Sequence, residues 1–174
     1  MKRLLAFLVL AACTQEPDTL AQQGNVPGLL RNPTAPLASQ VDVTAERLEG
    51  EWFLRQAAFG FRNTFQSVQL QKSDDGILSL TPCDALECYL HDLKSVGRGR
   101  WMVAPSDTSS VFDAGEMWVL WMDFDDRTVA IGDPLGRHVW IMDRAEAGGA
   151  DRIAAARDIL KWYGYDLSKL ETVQ

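Results

Sequence analysis

From about residue 46 the chain alternates short apolar stretches with clusters of Gly, Asp, Asn and Ser, the pattern of β-strands joined by tight turns. Strands are expected at 51–58, 64–72, 77–81, 89–96, 101–104, 117–124, 128–131 and 138–143. Turn chemistry separates them. Ser73-Asp74-Asp75-Gly76, Gly97-Arg98-Gly99-Arg100, Asp125-Asp126-Arg127 and Gly132-Asp133-Pro134-Leu135-Gly136 each stand where the chain must reverse. Connections this short join antiparallel neighbours. The expected fold class is therefore all-β, an eight-stranded up-and-down antiparallel barrel. One C-terminal α-helix follows, with Ile153, Ala156, Leu160 and Tyr163 at helical spacing, Asp151 in its first turn and Gly164 at its end. A single apolar stripe packs on the outside of such a barrel. The residues up to Val173 leave room for a short final strand.

The start of the chain reads differently. Lys2 and Arg3 precede Leu4 to Leu10, an apolar run too short to span a bilayer but suited to a signal peptide. Leu10-Ala11-Ala12-Cys13 then resembles a bacterial lipobox, which implies cleavage before Cys13 and acyl chains, palmitate among them, on that residue. Pro17, Pro27, Pro33 and Pro36 follow among small and polar residues with no sustained apolar period, the composition of a flexible tether. The expected organisation is a signal peptide at 1–12, an acylated cysteine and tether at 13–42, and a barrel domain at 43–174. Thr14 follows the cysteine where an aspartate would signal retention. By analogy with Gram-negative lipoproteins this implies the outer membrane, lipid-anchored and facing the periplasm.

Composition narrows the field. The 174 residues are 47% hydrophobic and 24% charged, values of an ordinary globular domain. A net charge of −7 argues against a nucleic-acid partner, because phosphate contacts need clustered Lys and Arg. Three cysteines would leave one odd in an oxidising compartment. Acylation of Cys13 removes it, and Cys83 and Cys88 remain as a local pair suited to a disulfide. A metal site at these thiols with His91 lacks a fourth soft ligand, so no metal and no cofactor is expected.

Two stretches carry a family resemblance. Arg47-Leu48-Glu49-Gly50-Glu51-Trp52-Phe53 looks like the opening Gly-x-Trp motif of the lipocalins. Further on, Val119-Leu120-Trp121-Met122-Asp123 resembles their middle motif and Val139-Trp140-Ile141-Met142-Asp143-Arg144 their closing arginine motif. The tail from Tyr163 to Leu170 is similar to the bacterial lipoprotein branch. Leu48 and Asp126 depart from the pattern, standing where tyrosine is common. The resemblance implies a barrel-base signature of Gly50, Trp52, Asp123 and Arg144, with the guanidinium stacked on the indole to seal one end.

Parity then selects a lining. If Arg144 points to the floor, Met142, Trp140 and His138 share its face, and Trp52 likewise turns Leu54 and Gln56 inward. The strand at 117–124 is apolar on both faces. Trp118, Leu120 and Met122 are taken as its lining set, and the other face is expected to need a cover, a homodimer contact being one way to supply it. The leading functional expectation is non-catalytic binding or carriage of a lipid, fatty acid or other small hydrophobic ligand by a membrane-tethered protein. One alternative is an envelope interaction lipoprotein whose barrel is filled by its own tryptophans, of which the chain has six. An isomerase-type enzyme on the same scaffold is the other. The chain has no Gly-x-Ser-x-Gly, zinc-type His pair or phosphate loop, and no catalytic residue is assigned.

Overall fold

A computed structural model describes residues 29–58, 65–83, 87–104 and 115–173. Cys13, the expected signal peptide and the first part of the expected tether lie outside them. A single turn of helix, α1 (Ala45–Leu48), leads into eight strands: β1 (Gly50–Ala58), β2 (Ser67–Lys72), β3 (Leu78–Cys83), β4 (His91–Gly97), β5 (Arg100–Val103), β6 (Gly115–Met122), β7 (Thr128–Gly132) and β8 (Val139–Asp143). The helix α2 (Ala150–Trp162) and a two-residue strand β9 (Glu171–Thr172) complete the chain. Each strand pairs antiparallel with the next, and β1 pairs with both β8 and β2, which closes the ring. Closure leaves no free edge except along the last part of β1, where β2 has ended and β9 takes its place.

The ring has two different ends. The β2–β3, β4–β5 and β6–β7 hairpins lie at the same end as Trp52 and Arg144, here called the floor. The β7–β8 turn and the strand ends that open towards 59–64, 84–86 and 105–114 lie at the other, the mouth.

Inside and outside form separate apolar clusters. The interior holds Trp52, Leu54, Trp101, Met117, Val119, Val129, Ile131, Trp140 and Met142, with inward residues of β2, β3 and β4. The outer cluster puts Ala156 and Leu160 of α2, and Tyr163 just after it, against Leu120, Ala130, Val139 and Ile141. β7 and β8 are buried along their whole length for this reason: the barrel core covers one face and the helix the other.

Two β-bulges set which side chains face inward. In β1 the register moves from Leu54 opposite Met142 to Gln56 opposite Ile141, so Arg55 is an extra residue. In β6 it moves from Val119 opposite Ile131 to Trp121 opposite Ala130, and Leu120 is the extra one. Strict alternation fails at both points, and the lining expected from it changes accordingly.

The stretch 29–42, expected to be tether, is instead packed along the barrel wall. Leu30 and Arg31 are buried, and Leu30 donates its backbone N–H to Gly136 at 2.7 Å while Asp166 donates to the Leu30 carbonyl at 2.7 Å. Near the floor, Gln40 donates to the Val119 carbonyl and its side-chain oxygen accepts from Met122 N–H. Leu30 and Leu37 supply the apolar contact that a proline-rich composition conceals. This strap, together with α2, covers the outer face of β6, so the apolar wall that would have called for a second copy is covered within the chain.

Candidate binding site

At the floor, the Arg144 guanidinium sits 3.7 Å from the centre of the Trp52 ring. It donates to the carbonyls of Glu49 (2.7 Å), Glu51 and Arg47 (3.1 Å each) and Asp126 (3.3 Å). Trp52 is fully buried and donates its indole N–H to the Leu48 carbonyl at 2.7 Å, which ties α1 to the plug. Gly50 is required here. Its φ of 110° suits glycine, and a Cβ would stand 2.7 Å from the Arg144 Nη1. Burial lowers the Arg144 pKa and the nearby Asp126 charge opposes that shift; the group stays cationic.

Asp123 fastens the adjacent β6–β7 hairpin by accepting from the backbone N–H groups of Arg127 and Thr128, both at 2.6 Å. Asp126, which departs from the family pattern, has its own function in this turn. Its carboxylate accepts from the Arg47 guanidinium at 2.5 and 2.8 Å, replacing a packing contact with an ion pair. The signature residues therefore meet at one end of the barrel and hold it shut, and none of them faces the lumen as a reactive group.

Of the expected lining, the structure brings Leu54, Met122, Trp140 and Met142 into the interior cluster. His138 joins them through its ring, stacked on Trp140 with centroids 4.9 Å apart. Three expectations are corrected. Gln56 lies outside, because the Arg55 bulge reverses its face, and it accepts from Arg157 of α2 at 2.7 Å. Trp118 and Leu120 also lie in the outer cluster, with the Arg100 guanidinium 3.8 Å from the Trp118 ring centre. The bulge at Leu120 lets Met117, Val119 and Met122 all face inward, a combination neither parity set contains. Trp101 was missed as a lining residue. The alternation Arg100-Trp101-Met102-Val103 carried the signal, with Trp101 and Val103 buried and Met102 exposed.

The lumen between floor and mouth is closely filled. Met117, Val119, Val129, Ile131 and Met142 have no accessible surface, so no space the size of a water touches them. Trp101, beside the β4–β5 hairpin, and Trp140, nearer the mouth, are almost as buried, and His138 is half-buried at the mouth. Beside it, Asp133 is fully buried. Burial raises its pKa, but hydrogen bonds from the Arg137 side chain and backbone outweigh that and hold it below the usual carboxylate range. Tyr165 donates to the Asp133 carbonyl at 2.9 Å, and its own ionisation is pushed well above the usual value by burial. Cys83 and Cys88 form a disulfide at the mouth, stapling the turn between β3 and β4.

A cleft of about 410 Å³ lies at the surface where β2 leaves β1, lined by residues that include Leu54, Arg55, Gln66 and Glu146. Among the described residues no cluster of His, Cys, Asp or Glu is placed to hold a metal, and no helix is long and apolar enough to cross a membrane.

Comparisons with known proteins agree with this architecture. No family model matches the chain, and no curated protein does. Among solved structures it is similar to a major allergen, Per a 4 from cockroaches, over 80% of this chain and 94% of that one, at 13% identity and a TM-score of 0.60. Likeness at that identity concerns the fold alone. With its closed ring of eight antiparallel strands and one helix packed outside, the chain has a lipocalin-like fold.

Proposed function

We propose that this chain is a lipoprotein lipocalin that binds one small apolar or amphiphilic molecule, a fatty acid or lysophospholipid in class, at the mouth half of its barrel. The observation that carries the reading is the asymmetry of the ring. An arginine plug shuts one end, while aromatic and thioether side chains (Met117, Trp140 and the stacked His138) lead to the other. Methionine adapts readily to a guest, and its displacement from a filled lumen costs less than moving a branched side chain. Binding would draw on apolar burial at roughly 25 cal/mol per Å², less the cost of ordering the guest. The reading assigns no chemical step: His138 serves as an aromatic wall for Trp140. Acylation at Cys13 holds the protein to the outer membrane, facing the periplasm.

Titrating the protein with fatty acids and lysophospholipids of graded chain length, with tryptophan emission as the readout, tests it. A saturable change that is lost in Trp140→Ala supports binding in the lumen. No saturable response at any chain length removes the carrier reading. The close filling around Met117 and Met142 favours one second reading, an envelope interaction protein with a permanently packed barrel. Lipid extraction and mass spectrometry of the purified acylated protein separate the two, since a packed barrel co-purifies with no stoichiometric guest.

A further inference from the structure

The strap along the wall fixes which end of the barrel the lipid anchor serves. Leu30 is held at the mouth, between Gly136 of the β7–β8 turn and Asp166 after α2, and Asn32 donates to the Gly164 carbonyl beside them. The strap then descends to the floor, where the Ser39 hydroxyl donates to the Arg98 carbonyl in the β4–β5 hairpin. The chain preceding Leu29 is therefore attached at the mouth. Cys13 lies sixteen residues before Leu29. A segment of that length spans about 55 Å at full extension and roughly 20–25 Å on average. Bringing the floor to the membrane instead would use up roughly 30 Å more, the length of a nine-residue strand such as β1.

We propose that the mouth of the barrel rests on an anionic phospholipid surface, with Leu135 and Trp162 as its contact residues. This rests on the acylation of Cys13 given above and adds an orientation to it. Leu135 is 62% exposed and Trp162 65% exposed. Both stand beside carbonyls gripped by the same side chain: Arg31 donates to Pro134 at 3.1 Å and to Tyr163 at 3.2 Å. The two apolar groups are thus fixed where the anchor segment joins the barrel. A tryptophan with an apolar body and a polar N–H suits the headgroup region. Exposed Lys161 adjoins it and supplies positive charge at that corner, where Lys169, paired with Asp166 at 3.8 Å, also reaches the Leu29 carbonyl at 3.4 Å.

The floor carries more charged groups around its exposed apolar residues. Asp74 and Asp75 are exposed in the β2–β3 hairpin, and Asp42, Glu46 and Asp125 stand there in exposed ion pairs with Arg47, Lys72 and Arg127, whose hydration a lipid headgroup layer would have to displace. Phe124 is the most exposed apolar residue at that end, at 95%, but burying it in lipid would carry Asp123, Asp125 and Asp126 down with it.

The test uses the full acylated chain in vesicles of phosphatidylethanolamine and phosphatidylglycerol containing a doxyl-labelled phosphatidylcholine. An environment-sensitive fluorophore is attached through Leu135→Cys at the mouth or Asp125→Cys at the floor; the native disulfide and acylated Cys13 do not react. The expected result is quenching at 135 several-fold above that at 125, reduced by adding Trp162→Glu. Equal quenching, or stronger quenching at 125, overturns the orientation. Vesicle-bound protein with neither label quenched also overturns the docking, while leaving the lipoprotein reading intact. A mass for the Cys13 peptide without acyl chains removes the reading and the orientation together.

Discussion

Replacing Arg144 by methionine keeps most of the side-chain stem and removes the guanidinium, which isolates what the plug contributes. The carbonyls of Arg47 and Asp126 are part-buried where they meet Arg144, and each would lose a charged donor at a cost of about 1–1.5 kcal/mol. Those of Glu49 and Glu51 are open to solvent and rehydrate, so they contribute little. Loss of the stacking on Trp52 adds about 1 kcal/mol for a half-buried pair. Arg144→Met is therefore expected to cost about 3–4 kcal/mol, a large share of the stability of a domain this size. Urea unfolding followed by tryptophan emission measures it, and the midpoint should fall by about 2 M with an unchanged slope. Arg144→Lys keeps the charge but not the fork, and should recover less than half of the loss. A cost below about 1 kcal/mol for Arg144→Met, at unchanged slope, would refute the view that this cluster holds the floor closed.

Three further outcomes are expected. Gly132→Ala should destabilise the barrel by about 1–3 kcal/mol in the same assay, because a Cβ there meets the Tyr165 hydroxyl and comes within 2.9 Å of Leu120. Thermal unfolding from pH 8 to 3 should show two stages of acid loss. Burial depresses the His91 pKa below its usual 6.5, so its contribution is complete above that pH and declines as the pH falls through the folded-state value; His91→Leu should remove this stage. For Asp143, burial alone would raise the pKa, but bonds from Thr128, Ala145 and Arg152 lower it below 3.8. Its contribution lasts until the pH falls beneath that range, and Asp143→Asn should shrink the lower stage, leaving the share of Asp133 and the other depressed carboxylates. Opening the disulfide by Cys83→Ser with Cys88→Ser should cost about 2 kcal/mol, the loop-closure entropy of so short a ring, read as a lowered urea midpoint.

Much of the architecture was legible because strands and turns announce themselves locally. Ser73-Asp74-Asp75-Gly76 and Asp125-Asp126-Arg127 both form hairpins between paired strands, and the stripe Ile153, Ala156, Leu160, Tyr163 faces the outer wall. What alternation cannot reveal is an inserted residue. Arg55 and Leu120 carry no glycine or proline to mark them, yet each reverses the facing of its neighbours, which is why Gln56, Trp118 and Leu120 were placed on the wrong side. The strap was missed for another reason. Its hold on the barrel comes from backbone bonds and the isolated side chains of Leu30, Arg31 and Leu37, a pattern without period. Signals of the base survived because they are chemical: an arginine after the last strand and a glycine two residues before a tryptophan are explained by the contacts they make.

Arg31 and Tyr163, partners across 132 residues of sequence, also bear on the order in which the molecule takes shape. Leu30 cannot be clasped until both the β7–β8 turn and the segment after α2 exist to receive it. Closing so long a loop is entropically costly and gains nothing until the sheet is built, so the clasp should be the last event of folding. During synthesis the leading segment thus stays unattached, and only a finished barrel draws its own beginning tight.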